Sequence, residues 1–195
     1  MPYLFVKQNN LHMIIGIGGV SRSGKTSLSR ALKAQLRPTT IIVHLDDYIK
    51  ESRHWDFFTK NPIFYLSKVH KKFDMEHPDT IDFDAFHRDI VRAAEEYDTV
   101  IAEGFLIVYD PRIKKLIDKY VHVEVSKSEF IKRRIKDFRH SNLWYAKHVW
   151  KSFVKYGNNY AGLKHMVVNG DVEIDVSAVL KFVTINQDSG LITSS

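Results

Sequence analysis

The chain has 195 residues, 44% of them hydrophobic and 27% charged, with five prolines and nine glycines, a profile that fits one compact domain and excludes collagen, low-complexity disorder and two full-sized domains. A formal net charge of +6 favours anionic partners such as phosphates without implying nucleic acid, and the absence of cysteine excludes disulfide frameworks, thiolate zinc sites and thiol catalysis. Apolar runs too short to cross a bilayer, and a first ten residues without a secretory pattern, make a cytoplasmic protein with no membrane partner the expectation.

In chain order, residues 13–17 form a short apolar run that reads as a buried strand. A helix follows over 26–36, with Leu28, Ala31, Leu32 and Leu36 on one face and Pro38 stopping it. A second strand covers 40–44. Residues 48–75 then break the rhythm, with seven aromatics in 28 positions and no clear period; a small packed subdomain and one wall of a substrate site are equally good readings. A helix over 82–97 aligns Phe83, Phe86, Ile90, Ala94 and Tyr97, and strands follow at 99–102 and 120–125. Ser126 with Glu129 three residues later predicts a capping box opening a helix through residue 138. A helix over 144–156, a strand over 165–168, a helix over 175–182 and a loose tail from 188 complete the chain. Strands alternating with helices predict an α/β fold with a five-stranded parallel sheet, in one domain spanning 1–187 with a lid region at 133–148.

The most specific motif follows the first strand: Gly19-Val20-Ser21-Arg22-Ser23-Gly24-Lys25-Thr26 is a full match to the Walker A pattern. Its glycines let successive amides turn toward phosphate oxygens, and the following helix adds the positive end of its dipole. Gly19, Ser21, Arg22, Ser23, Gly24, Lys25, Thr26 and Ser27 are therefore the expected ATP-phosphate cradle, with Lys25 bridging the β- and γ-phosphates and the Thr26 hydroxyl on Mg²⁺. A dinucleotide fingerprint is excluded because Ser21 stands where its third glycine would be. No Asn-Lys-x-Asp segment is present for reading guanine, and the third strand ends Ala102-Glu103-Gly104, not in the Asp-Glu of a mechanical ATPase. A small phosphoryl-transfer enzyme remains.

Ligands of an open parallel sheet sit beyond the carboxyl ends of its strands, where this chain places Asp46-Asp47 and Glu103. Phosphorylating an alcohol needs a carboxylate to take the hydroxyl proton and oxygen ligands for Mg²⁺. Asp46 is assigned the first role, and Glu103, with Thr26 and Asp46 in the same oxygen set, the second. In the basic stretch 132–139, one or two arginines are expected to neutralise the transferring group while the rest are solvated. The ten histidines show no metal-ligand spacing.

Together these segments resemble the uridine kinase-like P-loop kinases, and within them the nicotinamide riboside kinases. The resemblance rests on the run from Gly16 to Thr26, on His44-Leu45-Asp46-Asp47-Tyr48, and on Glu76-His77-Pro78-Asp79-Thr80-Ile81-Asp82-Phe83. It continues through Ala102-Glu103-Gly104-Phe105-Leu106, Arg133-Arg134, His148-Val149-Trp150 and Val168-Asn169-Gly170-Asp171-Val172. It implies transfer of the ATP γ-phosphate, with Mg²⁺, to the 5′-hydroxyl of a ribonucleoside. Nicotinamide riboside, giving nicotinamide mononucleotide for NAD biosynthesis, is the expected acceptor, and uridine, cytidine or another small alcohol the alternative. By motif position it makes Asp46 the base, Glu76 the ligand of the ribose hydroxyls and Arg134 a contact to ribose or phosphates, and it sets the 169–171 loop, with Asn169 and Asp171, beside adenine. Asp47 and Tyr48 fall in the same acceptor-side set.

Three departures from the family pattern bear on the acceptor. Met75-Glu76 replaces an aromatic followed by Asp, so a stacking face is lost and the carboxylate reaches one methylene further. Asp137 stands where a further lid arginine is expected, with Arg139 able to compensate, and Trp144 or Tyr145 can supply the missing face. The base-reading hairpin of pyrimidine-specific uridine kinases has no room between Tyr97 and Thr99, which argues against uridine. A nucleotide-binding protein without kinase activity, drawing on Lys68 to Lys72 for nucleic acid, ranks well below these readings, and no nucleic-acid partner is expected.

Overall fold

The computed structural model describes residues 12–36, 38–50, 76–136 and 143–185. Five strands, β1 (Met13–Gly18), β2 (Thr40–His44), β3 (Thr99–Gly104), β4 (Lys119–Glu124) and β5 (His165–Asn169), pair in parallel in the order β2-β3-β1-β4-β5. The helices are α1 (Lys25–Gln35), α2 (Phe83–Glu96), α3 (Pro111–Leu116), α4 (Lys127–Lys136), α5 (Leu143–Tyr156) and α6 (Val176–Thr184), with 3-10 turns at Leu45–Tyr48 and Pro78–Thr80.

The central strands β3, β1 and β4 are buried almost throughout because both their faces are covered, and β1 is apolar along its whole length. Along β1, Ile14 enters a core with Phe86 and Ile90 of α2 and Ile113 of α3, whereas Ile15 and Ile17 enter the opposite core with Leu28 and Leu32 of α1 and Val179 of α6. The same alternation splits Val100 from Ile101 on β3 and Tyr120 from Val121 on β4. A third cluster, with Val20, Phe130, Val149 and Phe153, seats α4 and α5 beside the loop after β1. Fully burying one such Leu, Ile or Phe stabilises the fold by roughly 1.5–3 kcal/mol, and the two layers of such contacts clamp the sheet from both sides.

All five predicted strands are present; β2 has the predicted bounds and the others are shifted by one or two residues at an end, β1 and β3 running on to Gly18 and Gly104. The predicted helix through 138 is described to Lys136, and residues 137 and 138 lie outside the described set, as do Arg139, the 51–75 part of the aromatic segment and the tail from 188. The sequence reading passed over α3, which is only six residues long and has no room for a period; its signal is Asp110-Pro111, with the Asp110 carboxylate accepting from the Arg112 amide at 2.8 Å. The capping box is half formed. Ser126 Oγ accepts from the Glu129 amide (3.2 Å), but the Glu129 carboxylate turns to Arg133, and Asp171 Oδ1 accepts from the Ser126 amide instead (2.9 Å).

Candidate active site

Beyond the carboxyl end of β1 the backbone makes a tight loop into α1. Gly19 at φ 146° and Gly24 at φ 104° occupy conformations that side chains rarely adopt, and a Cβ on Gly19 would lie 2.4 Å from the Val123 carbonyl. Arg22 is also left-handed, at φ 63°, and the Ser23 amide closes the loop on the Val20 carbonyl at 3.1 Å. The buried Lys25 ammonium donates to that same carbonyl at 2.9 Å. Burial lowers its pKa, while the negative charges of Glu103, Asp46 and Glu76 act to raise it, so three predicted site carboxylates act on one lysine.

Register explains the next contacts. His44 ends β2 directly beside Glu103 on β3, so the two side chains leave the sheet together. The buried Glu103 carboxylate accepts at Oε1 from Thr26 Oγ1 (2.8 Å) and from His44 Nδ1 (2.6 Å). Ser29, one turn along α1 from Lys25 and Thr26, lies 3.5 Å from Oε2 while donating to the Lys25 carbonyl. Neither His44 nor Ser29 was among the predicted site residues. The signal for Ser29 was its i+3 spacing from Thr26, and for His44 its place at the end of a strand carrying an acidic pair.

Asp46 and Asp47 stand on the 3-10 turn after β2, both open to solvent. Although its side chain reaches solvent, partial desolvation on the site side of the Asp46 carboxyl raises its pKa, with Glu103 and Asp47 pushing the same way and Lys25 and His44 opposing. Tyr48 is committed elsewhere: its ring meets Phe86 edge-on at 5.0 Å, and its hydroxyl donates to Asp89 of α2 at 2.7 Å.

Of the basic stretch, two arginines reach the loop. Arg133 bridges Glu129, the Arg22 carbonyl and the Gly170 carbonyl, tying α4 to both loops. Arg134 is buried and donates from Nη1 to Ser21 Oγ at 2.9 Å. Its guanidinium lies 5.1 Å over the Tyr145 ring, and the Tyr145 hydroxyl donates to Glu76 Oε1 at 3.0 Å. The predicted Asn169 and Asp171 form a turn in which Asn169 Oδ1 accepts from the Asp171 amide at 2.9 Å. Trp144 is exposed and stacks on His148 at 5.9 Å and 9°.

Two buried polar atoms, Ser23 Oγ and Arg134 Nε, have no hydrogen-bond partner among the described residues. Both belong to side chains of the loop and its arginine wall, as expected of a cradle built for the oxygens of a phosphate chain. Thr26 and Glu103 supply hard oxygen donors of the kind Mg²⁺ takes when phosphates complete its shell. No group of three or more His, Cys, Asp or Glu able to hold a metal alone occurs among the described residues, and none of their helices is long and apolar enough to cross a membrane.

No family model matches the chain. It is 30% identical over 144 residues to uridine kinase of Geobacillus kaustophilus, covering 65% of this chain and 68% of that one. It is 29% identical over 138 residues to uridine kinase of another Geobacillus, covering 63% and 65%. The chain thus matches about two thirds of the length of these relatives. Among solved structures it is similar to a gluconokinase of Sinorhizobium meliloti, with a TM-score of 0.56, 11% identity and 90% and 91% of the two chains covered. It is also similar to shikimate kinase of Bacteroides thetaiotaomicron, with a TM-score of 0.52, 16% identity and 88% and 96% covered.

Proposed function

The chain belongs to the uridine kinase family of P-loop kinases, and from that membership and the site geometry we propose that it phosphorylates the 5′-hydroxyl of a ribonucleoside with ATP and Mg²⁺. The observation that carries the reading is the convergence of Lys25, the Thr26–Glu103 pair and Asp46 at the carboxyl ends of β1, β2 and β3, beside the Gly19–Gly24 loop. That is the equipment of phosphoryl transfer, in which positioning and charge neutralisation do most of the catalysis.

In this reading the acceptor oxygen forms a bond to the γ-phosphorus, the bond from that phosphorus to ADP breaks, and the hydroxyl proton passes to the Asp46 carboxylate. The raised pKa of Asp46 makes it a stronger proton acceptor than an ordinary aspartate. Lys25 and Arg134 neutralise the charge spreading over the transferring group, at a loop already closed by their hydrogen bonds. Thr26 and Glu103 would hold Mg²⁺, which when bound neutralises phosphate charge and fixes the phosphate chain. Glu76, one of the carboxylates felt by Lys25, takes the ribose hydroxyls.

For the base, the relatives' name, uridine kinase, supports uridine ahead of nicotinamide riboside. Nicotinamide riboside is kept as the second reading on one observation: α2 ends at Glu96 and β3 begins at Thr99, so a two-residue connection replaces any base-reading hairpin. Measuring kcat/KM for uridine, cytidine and nicotinamide riboside, with product masses, tests both. A pyrimidine preference of about tenfold or more is expected under the first reading, the reverse preference selects the second, and turnover of none of the three overturns nucleoside kinase activity.

A further inference from the structure

Glu76 has one more rotatable bond between backbone and carboxylate than an aspartate would have. A ribose-binding carboxylate with that extra freedom orients a sugar poorly unless something else fixes it. Here the fixing group comes from a different element, since the Tyr145 hydroxyl on α5 donates to Glu76 Oε1 at 3.0 Å. An ionised carboxylate offers about four acceptor sites, more than the single bond from Tyr145 uses.

The same ring faces a second functional group. The Arg134 guanidinium lies over it at 5.1 Å and donates to Ser21 Oγ in the phosphate loop at 2.9 Å. One side chain therefore touches both the acceptor-side carboxylate and the phosphate-side cation. Its backbone is held by a helix whose buried Ala146 and Val149 pack with Val20 and Phe130, so the tyrosine is presented from a rigid support.

We infer that Tyr145 is a positioning and specificity residue for the acceptor, pinning Glu76 toward the ribose diol and setting its separation from Arg134. The inference rests on the ribonucleoside kinase reading and deepens it. Tyr145 acts through Glu76 and needs no stacking on the base, although its ring also lies 6.4 Å from His148, on which Trp144 stacks. The ligand feature it serves is a vicinal 2′,3′-diol, so the chemical class selected is the ribonucleoside over its 2′-deoxy analogue.

Two variants separate the two contacts. Tyr145→Phe keeps the ring over Arg134 and removes only the hydroxyl; Tyr145→Leu removes both. With the best ribonucleoside and its 2′-deoxy counterpart as acceptors, Tyr145→Phe is expected to raise the ribonucleoside KM about tenfold. Its kcat should change less than about threefold, the KM for ATP should hold, and the preference for ribose should fall in proportion to the KM rise. Tyr145→Leu should show the same KM effect plus at least about a fivefold further loss of kcat. In a Glu76→Ala background, Tyr145→Phe should add less than about twofold, because the acceptor it positions is gone.

An active wild type whose Tyr145→Phe variant keeps the parental KM and ribose preference overturns this inference alone. So does a Tyr145→Phe effect that is fully additive with Glu76→Ala, or one that falls equally on ATP. A wild type that phosphorylates no ribonucleoside overturns the functional reading itself, and this inference with it.

Discussion

Glu103 shows how much a single site residue can be asked to do. Its Oε1 receives both Thr26 and His44, so a neutral amide in its place would keep the size while losing the charge that those donors and Lys25 answer. Glu103→Gln is predicted to lower kcat by about 10- to 100-fold and to raise the Mg²⁺ concentration giving half-maximal rate, read from a Mg²⁺ titration at saturating ATP. A variant with an unchanged Mg²⁺ requirement would remove Glu103 from the metal set. At this scale the sequence was readable wherever chemistry demanded a residue type at a fixed offset, as in Lys25-Thr26 or Asp46. It was less readable where a side chain's partner depended on packing. Tyr48 carries the aromatic expected after an acidic pair, yet α2 supplies Asp89 and Phe86 within reach and holds the side chain there.

Elements show the same division. Strands announced themselves as short apolar runs and the longer helices by period, whereas α3 has six residues and is capped by the Asp110 side chain, which also binds Arg112 at 2.6 Å. Hydrogen bonds from Arg112 hold the Asp110 carboxyl below the usual carboxylate range. Asp110→Ala is therefore predicted to cost about 1–2 kcal/mol of stability, seen as a lower urea midpoint, with the KM for ATP unchanged because α3 is outside the phosphate loop. The half-formed capping box makes a related point. Ser126 and Glu129 have the right spacing, but Arg133 sits i+4 from Glu129 and wins its carboxylate, and Asp171 from the neighbouring loop satisfies the Ser126 amide. Sequence spacing identified the helix start; tertiary neighbours decided which acceptor served it.

Over the whole molecule, two cores clamp one sheet, and a histidine buried in that sheet couples stability to pH. His122 pairs in register with Gly18, stacks on Tyr160 at 4.6 Å, and has its pKa lowered from 6.5 to about 4, first by burial and then by Lys25 and His165. The unfolded chain binds a proton there at a higher pH than the folded one, so the contribution of His122 is complete above pH 6.5 and is lost as pH falls from there toward 4. The expected loss is on the order of 2–3 kcal/mol across that window and should be flattened in His122→Phe, as measured by urea midpoints at a series of pH values. The parallel sheet and its order of site residues were legible because both follow from local pattern and motif order. The pairing of His44 with Glu103 and of Tyr145 with Glu76 was not, because each joins residues at least 59 positions apart that only the register or the helix packing brings together. The most direct test of the account is single-turnover phosphoryl transfer to a ribonucleoside, comparing Asp46→Asn with the parent. The account predicts stoichiometric ADP and 5′-phosphorylated acceptor from the parent and a loss of at least about 100-fold in the variant with ATP still bound; equal rates from the two proteins, or ADP formed without phosphorylated acceptor, would contradict it.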